Sequence, residues 1–210
     1  MEKRLLLIGG GGHCRSVADT VLSLGEYSQT GIIDNGLSSL VPGITAVGTD
    51  EDLPRLKSEG WNYAFICVGS IGSTALRRKL YRSVKEAGFI VPTIIDKTAC
   101  VCNSSIIEEG VFVGKRAVVN SGARIGLCAI INTGSIIEHD CRVGDFTHIS
   151  PGAILCGNVN VGHDTHIGAG SVIRQSINIG SDVMIGVGSA VVKNIQDNAK
   201  AFGNPCRAVE

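Results

Sequence analysis

Residues 131–150 read INTGSIIEHDCRVGDFTHIS, with Ile131, Ile137, Val143 and Ile149 six apart. Followed outward in both directions, the same step lands on Ile, Val or Leu at every sixth position from Ile95 to Val191, with no residue inserted. The position two before each aliphatic is small in most repeats, as at Ala117, Ala123, Ala129, Ser135 and Ala153. Gly follows the aliphatic at 114, 126, 144, 162, 168, 180 and 186. A period of six matches neither the 3.6 residues of a helix nor the 2 of a strand. It is the hexapeptide repeat of a parallel β-helix, in which six residues make one flat side and its turn. Three sides close a coil, so each aliphatic lies about 4.8 Å above its counterpart three repeats earlier. A β-sandwich would show strict alternation with irregular turns instead.

Upstream of the repeat the pattern is different. Lys3 to Gly9 is an apolar run ending in glycine, as in a buried strand followed by a tight turn. Val17, Val21 and Leu24 recur at helical spacing, and Gly25 stands where a helix C-cap would. Gly31 to Asp34 and Tyr63 to Val68 read as further strands, and Leu76, Leu80, Val84 and Ala87 as another helix. Strand and helix in alternation predict a small parallel sheet of Rossmann-like type. The chain therefore divides into a Rossmann-like domain over 1–92, a β-helix over 93–195 and a C-terminal tail over 196–210.

Composition narrows the function. Nineteen basic and nineteen acidic side chains leave no formal net charge, which argues against nucleic acid or an anionic membrane as partner. Only 4% of residues are aromatic while 28 are glycine, as expected of tightly turned backbone around small aliphatics. The apolar run Leu5–Ile8 stops at Gly9, too short for a signal peptide, so a cytoplasmic protein is expected. The eight cysteines then read as small buried hydrophobes. Cys100 and Cys102 lack zinc-knuckle spacing, and no metal is expected.

Several motifs together carry a family resemblance over essentially the whole chain. They are Gly9-Gly10-Gly11-Gly12-His13, Gly31-Ile32-Ile33-Asp34, Asn132-Thr133, Glu138-His139-Asp140, His148 to Ala153, Gly157-Asn158 and Gly203 to Arg207. The chain resembles the left-handed β-helix sugar acetyltransferases, in the group that includes sialic-acid O-acetyltransferases and bacillosamine-type nucleotide-sugar N-acetyltransferases. The resemblance implies the left hand of the helix and a homotrimer with acetyl-CoA along the groove between adjacent copies. It also implies His139 as general base, with Asp140 or Glu138 orienting the ring. For acetyl-CoA it implies contacts at His148, Gly157, Asn158, Ala169 and Gly186. It implies that 1–92 binds the sugar nucleotide and 93–195 binds acetyl-CoA and catalyses, with sugar-nucleotide contacts at Gly9, Gly11, Gly12, His13, Asp34, Gly69 and Asn132. Gly69-Ser70 departs from the Gly-Asn usual at that loop, and Asn-Pro-Cys-Arg from the usual Pro-Ala-Arg.

The residues suit that chemistry. Acyl transfer to an amine needs a base for the nucleophile's proton and a donor for the developing oxyanion. Neutral imidazole accepts a proton at working pH, and a neighbouring carboxylate stabilises imidazolium. One coil beyond His139 stands Gly157, whose missing side chain is expected to leave space for a pantetheine arm and to bare a backbone N–H. A glycine-rich turn before a helix lets backbone approach phosphate, and Asp34 ends the next strand. His148 and His166 are expected to stack, with His166 facing solvent. Arg77, Arg78, Lys79 and Arg82 read as a solvated helix face. The expected activity is acetyl transfer from acetyl-CoA to the amine of a UDP-4-amino sugar for surface-glycan synthesis. Sialic-acid O-acetylation and a non-catalytic trimeric nucleotide-sugar-binding scaffold are the alternatives.

Overall fold

A computed structural model describes residues 2–36 and 41–209. They fall into two compact units: residues up to Ser70 together with Thr74–Ile94, and Ile71–Ser73 together with the chain from Ile95 onward. No described helix is long and apolar enough to cross a membrane.

The first unit is a four-stranded parallel sheet in the order β3-β2-β1-β4 with helices between. Its elements are β1 (Arg4–Ile8), α1 (Gly12–Leu24), β2 (Gln29–Ile33), β3 (Thr45–Gly48), α2 (Leu53–Ser58), β4 (Tyr63–Ile66) and α3 (Ala75–Glu86). Leu5 to Ile8 are fully buried, as a central parallel strand covered on both faces requires. Gly25 caps α1 in the left-handed conformation, its N–H bonding to Val21 O. Arg77 departs from the expected solvated face. It is 2% exposed and donates from Nη1 to Ser70 Oγ at 3.3 Å.

The second unit is a left-handed parallel β-helix of two-residue strands on three faces. Face 1 runs from Ile106–Ile107 to Asn178–Ile179, face 2 from Ile94–Ile95 to Met184–Ile185, and face 3 from Cys100–Val101 to Ala190–Val191. Partners are eighteen residues apart, as in Ile131↔Ile149 and Ile137↔Leu155. The second residue of each strand points inward, so Ile131, Ile137, Ile149 and Leu155 are fully buried. The small residues at Ala117, Ala123, Ala129 and Ala153 fill the corners at 0% exposure.

From 110 to 188 each corner turns through one residue with positive φ, and these recur every six. Glycine takes the place at 110, 122, 134, 152, 170 and 188, Asp140, Asn158, Asp164 and Asp182 at four more, and Arg116, Cys128, Phe146 and Ser176 the rest, with φ of 53–61° at the non-glycine positions. Asn and Asp are the side chains that tolerate this conformation best. The chain's end continues face 2. Lys200–Gly203 pairs parallel with Met184–Ile185 and antiparallel with Cys206–Val209.

Candidate active site

His139 and Asp140 occupy the corner between faces 3 and 1. Cys141 N–H bonds back to Glu138 O at 3.4 Å, closing a turn whose third residue, Asp140, has φ 61°. The tight corner turns both side chains outward, and His139 Nδ1 lies 3.0 Å from Asp140 Oδ2. The two are 55% and 67% exposed, so the pair opens to solvent. Glu138 contacts backbone instead, accepting His139 N–H at Oε2 over 3.4 Å. Of the two acids, Asp140 is the one that holds the ring.

Two glycines hold the space this pair occupies. A Cβ on Gly157 would lie 2.5 Å from His139 Nε2 and 2.6 Å from Cε1. The space expected there for a pantetheine arm is filled by the imidazole itself. One coil earlier, a Cβ on Gly122 would lie 2.7 Å from Asp140 Oδ1. Sequence reasoning missed Gly122, although stepping back one coil from Asp140 would have found it. Among the described residues the Gly157 N–H makes no hydrogen bond, while Asn158 N–H pairs with His139 O at 2.8 Å.

His148 lies on face 2, across the triangle from that corner, and is 9% exposed. Thr133 N–H donates to Asn132 Oδ1 at 2.8 Å, so the Asn132 amide turns its NH₂ toward His148 Nε2 at 3.0 Å. An NH₂ group only donates, so Nε2 accepts and the His148 proton sits on Nδ1. His166 stacks one coil beyond with ring centroids 5.0 Å apart, edge to face. Its Nε2 meets Ser150 Oγ at 3.3 Å, so it is part of a half-buried ladder rather than the solvent-facing residue expected. Asn158 donates to Ser176 Oγ at 3.3 Å, and Ala169 O accepts Gly188 N–H at 2.9 Å. Gly186 lies against the C-terminal hairpin, where a Cβ would come 2.7 Å from Phe202 Cβ. The remaining histidine pair sits at the corner between faces 1 and 2. His163, Asp164 and Asp182 bring one metal-ligating atom each within 4.8 Å of one another, with His163 Nδ1 2.6 Å from Asp164 Oδ2.

In the first unit the glycine turn, His13, Asp34 and Gly69 come together where β1, β2 and β4 end, as ligand crevices of open parallel sheets do. Gly9 has φ 97° and donates to Ile33 O at 2.7 Å. Asp34 Oδ2 accepts Gly10 N–H at 2.7 Å and Oδ1 accepts Gly36 N–H at 2.8 Å. Its carboxylate thus ties the glycine turn to the end of β2. A Cβ on Gly10 would collide with that oxygen, whereas Gly11 and Gly12 at the head of α1 face open space. Gly69 is exposed, 3.8 Å by its ideal Cβ from His13 Cβ. A cavity of about 140 Å³ beside the turn is lined by Gly9, Asp34, Asn35, Asp50, Val68 and Leu76. Beneath it the buried Cys14 and Cys67 thiols are hydrogen-bonded, which lowers Cys14, while burial pushes Cys67 well up.

The profile of the PglD N-terminal domain matches residues 4–84, and that of the bacterial transferase hexapeptide (six repeats) matches 140–175. A perosamine N-acetyltransferase variant from Caulobacter crescentus, solved with CoA and GDP-perosamine, is 34% identical over 98% of this chain and 96% of its own, with TM-score 0.93. The chain belongs to the left-handed β-helix sugar N-acetyltransferases. The acetyltransferase domain of PglB from Neisseria gonorrhoeae, solved with acetyl coenzyme A, is another such relative. It is 34% identical over the full length of both chains, with TM-score 0.93. WeeI from Acinetobacter baumannii shares the fold at 23% identity and TM-score 0.85. Within this family the present chain sets its His-Asp pair and its glycine turn in separate units.

Proposed function

We propose that this chain moves the acetyl group of acetyl-CoA to the amine of a nucleotide-activated 4-amino sugar, UDP-linked in the first instance, with His139 as general base. The observation that carries this reading is the His139–Asp140 pair packed over Gly157, whose N–H has no other partner among the described residues. With Nδ1 engaged by Asp140, Nε2 is the atom left to accept the proton of the attacking amine. Asp140 then stabilises the imidazolium, and Gly157 N–H stands ready to donate to the oxyanion. The thioester supplies the activated acyl carbon: the C–N bond forms, the C–S bond breaks, and the thiol leaves with a proton returned from His139.

In the front unit, the open space at Gly11 and Gly12 at the head of α1 receives the sugar nucleotide. Gly9, His13, Asp34 and Gly69 shape that crevice. His148, Ala169 and Gly186 lie away from His139 on other parts of the coil, so a groove that uses both needs a second copy, whereas Asn158 sits directly against the His139 backbone. The outward side chains of face 3 (Val118, Ile136, Ile154, Val172 and Ala190) form an apolar stripe suited to burial in a homotrimer. The same reading places the protein in the cytoplasm, its cysteines as free thiols.

Thiol release from acetyl-CoA tests the proposal with a UDP-4-amino sugar, a GDP-4-amino sugar and sialic acid as acceptors. Release with an amino sugar, abolished in His139→Ala, is the expected result. Release with sialic acid alone would replace the amine by a hydroxyl, and no release with any acceptor would leave a nucleotide-sugar-binding scaffold.

A further inference from the structure

Arg124 and Arg142 open successive strands of face 1 and lie in direct parallel register. Both are exposed, and both line an open cavity of about 270 Å³ with Ile106, Glu108 and Asp145. Neither guanidinium makes a side-chain hydrogen bond or ion pair with any described residue. The acids on the rim do not neutralise them, and Asp145 turns its Oδ1 to Leu127 N–H at 3.0 Å. The strands of Arg124 and Arg142 lie about 4.8 Å apart, so two like charges project from neighbouring rungs of one face with no acid paired to either. Two unpaired arginines on adjacent rungs offer planar forks of the kind that hold phosphate oxygens in pairs.

We propose that Arg124 and Arg142 form a phosphate-binding site on face 1 that takes the diphosphate of the sugar nucleotide during acetyl transfer. This rests on the acetyl-transfer reading above. Arg142 follows His139 by three residues, so no more than about 11 Å of chain separates their Cα atoms. A sugar whose amine reaches His139 therefore carries its anomeric diphosphate within range of the pair. CoA also carries phosphates, but at the far end of its pantetheine arm from the thioester that must meet His139. The arginine pair adds charge at the end where chemistry occurs, and so sets a requirement for a diphosphate-linked sugar over a free one.

The test uses the full-length protein with Arg124→Ala, Arg142→Ala and the double variant, all at exposed strand positions. Calorimetric titration with inorganic pyrophosphate reads the site without any turnover. The wild type is expected to show a binding event that the double variant lacks or weakens at least about ten-fold. In steady state the KM for the sugar nucleotide is expected to rise about ten-fold per arginine, with kcat and the KM for acetyl-CoA unchanged, and the gap to narrow in high salt. A rise confined to the KM for acetyl-CoA would overturn the sugar-nucleotide assignment and give the pair to the phosphates of CoA. Unchanged pyrophosphate binding with both KM values unchanged would overturn the site. A wild type that acetylates no acceptor would refute the acetyl-transfer reading, while the pyrophosphate titration still decides whether the arginines bind phosphate.

Discussion

Replacing Gly157 by Ala places a methyl carbon 2.5 Å from His139 Nε2 and 2.6 Å from Cε1. Ordinary carbon contacts begin near 3.5 Å, so the imidazole must retreat by about 1 Å. The backbone at 157 needs no left-handed φ, so alanine fits the chain there. The ring is 55% exposed and free to swing outward, so the fold does not resist. Its bond to Asp140 is already 3.0 Å long, and a further ångström takes it out of hydrogen-bond range. Melting is expected within about 4 °C of wild type, because the strain is relieved at the surface and Gly→Ala itself lowers unfolded-state entropy. Displacing a catalytic group by 1 Å costs about 100-fold in kcat. Thiol release with acetyl-CoA and the amino-sugar acceptor measures it, beside a thermal melt. In a His139→Ala background the same change should have almost no further effect, since the clashing ring is gone. Full activity in Gly157→Ala would refute the reasoning, and so would equal losses from Gly157→Ala in both backgrounds.

Asp140→Asn keeps a residue that tolerates positive φ, so it should fold normally while lowering kcat about ten- to a hundred-fold, measured with an unchanged KM for the sugar nucleotide. Gly10→Ala drives a methyl into the Asp34 carboxylate and should raise the sugar-nucleotide KM at least about five-fold while sparing the KM for acetyl-CoA. The hydrogen bond from Ser104 holds the Cys102 thiol below its ordinary value, whereas burial pushes Cys141 up to about 11. Brief iodoacetamide treatment near pH 7.5 should therefore label Cys102 far ahead of Cys141, read by peptide mass spectrometry. Ile137→Ala, at 0% exposure in the coil, should cost about 2–5 kcal/mol in denaturant unfolding.

The β-helix was legible in the sequence because each of its constraints acts at a fixed chain interval. The inward aliphatics, the small corner residues and the positive-φ places all recur every six, and the rungs pair at eighteen. Local spacing is converted to spatial stacking with no loop between. The first unit was legible only as an alternation of strands and helices, because its contacts join distant segments. Nothing in the run of Arg77 to Arg82 shows that Arg77 turns inward to Ser70, since that depends on how α3 meets the loop after β4. The link from Asp34 to Gly10 is similar. Both residues were candidates for the sugar-nucleotide crevice or its turn, but that one carboxylate restrains both the glycine turn and its own loop is a property of the fold.

At the His139 corner, chain arithmetic found the right glycine but not what fills its space. Stepping eighteen residues identifies which backbone lies above which; it does not say which way a side chain leans. His139 leans along the axis over Gly157, and Asp140 leans the opposite way over Gly122, because the shared Nδ1–Oδ2 bond spans one turn. Seen this way, both glycines serve the pair itself. A side chain at either would pry the two apart before any substrate arrived. That makes a separate demand on Gly122, whose φ of 72° also suits glycine. Gly122→Asn keeps that backbone conformation accessible while adding the Cβ that meets Asp140 Oδ1. It should fold with a melting point near that of wild type and yet lose activity on the scale of Asp140→Asn. If Gly122→Asn melts normally and turns over at the wild-type rate, the carboxylate does not need that space, and the pairing of the two glycines with the two catalytic side chains fails.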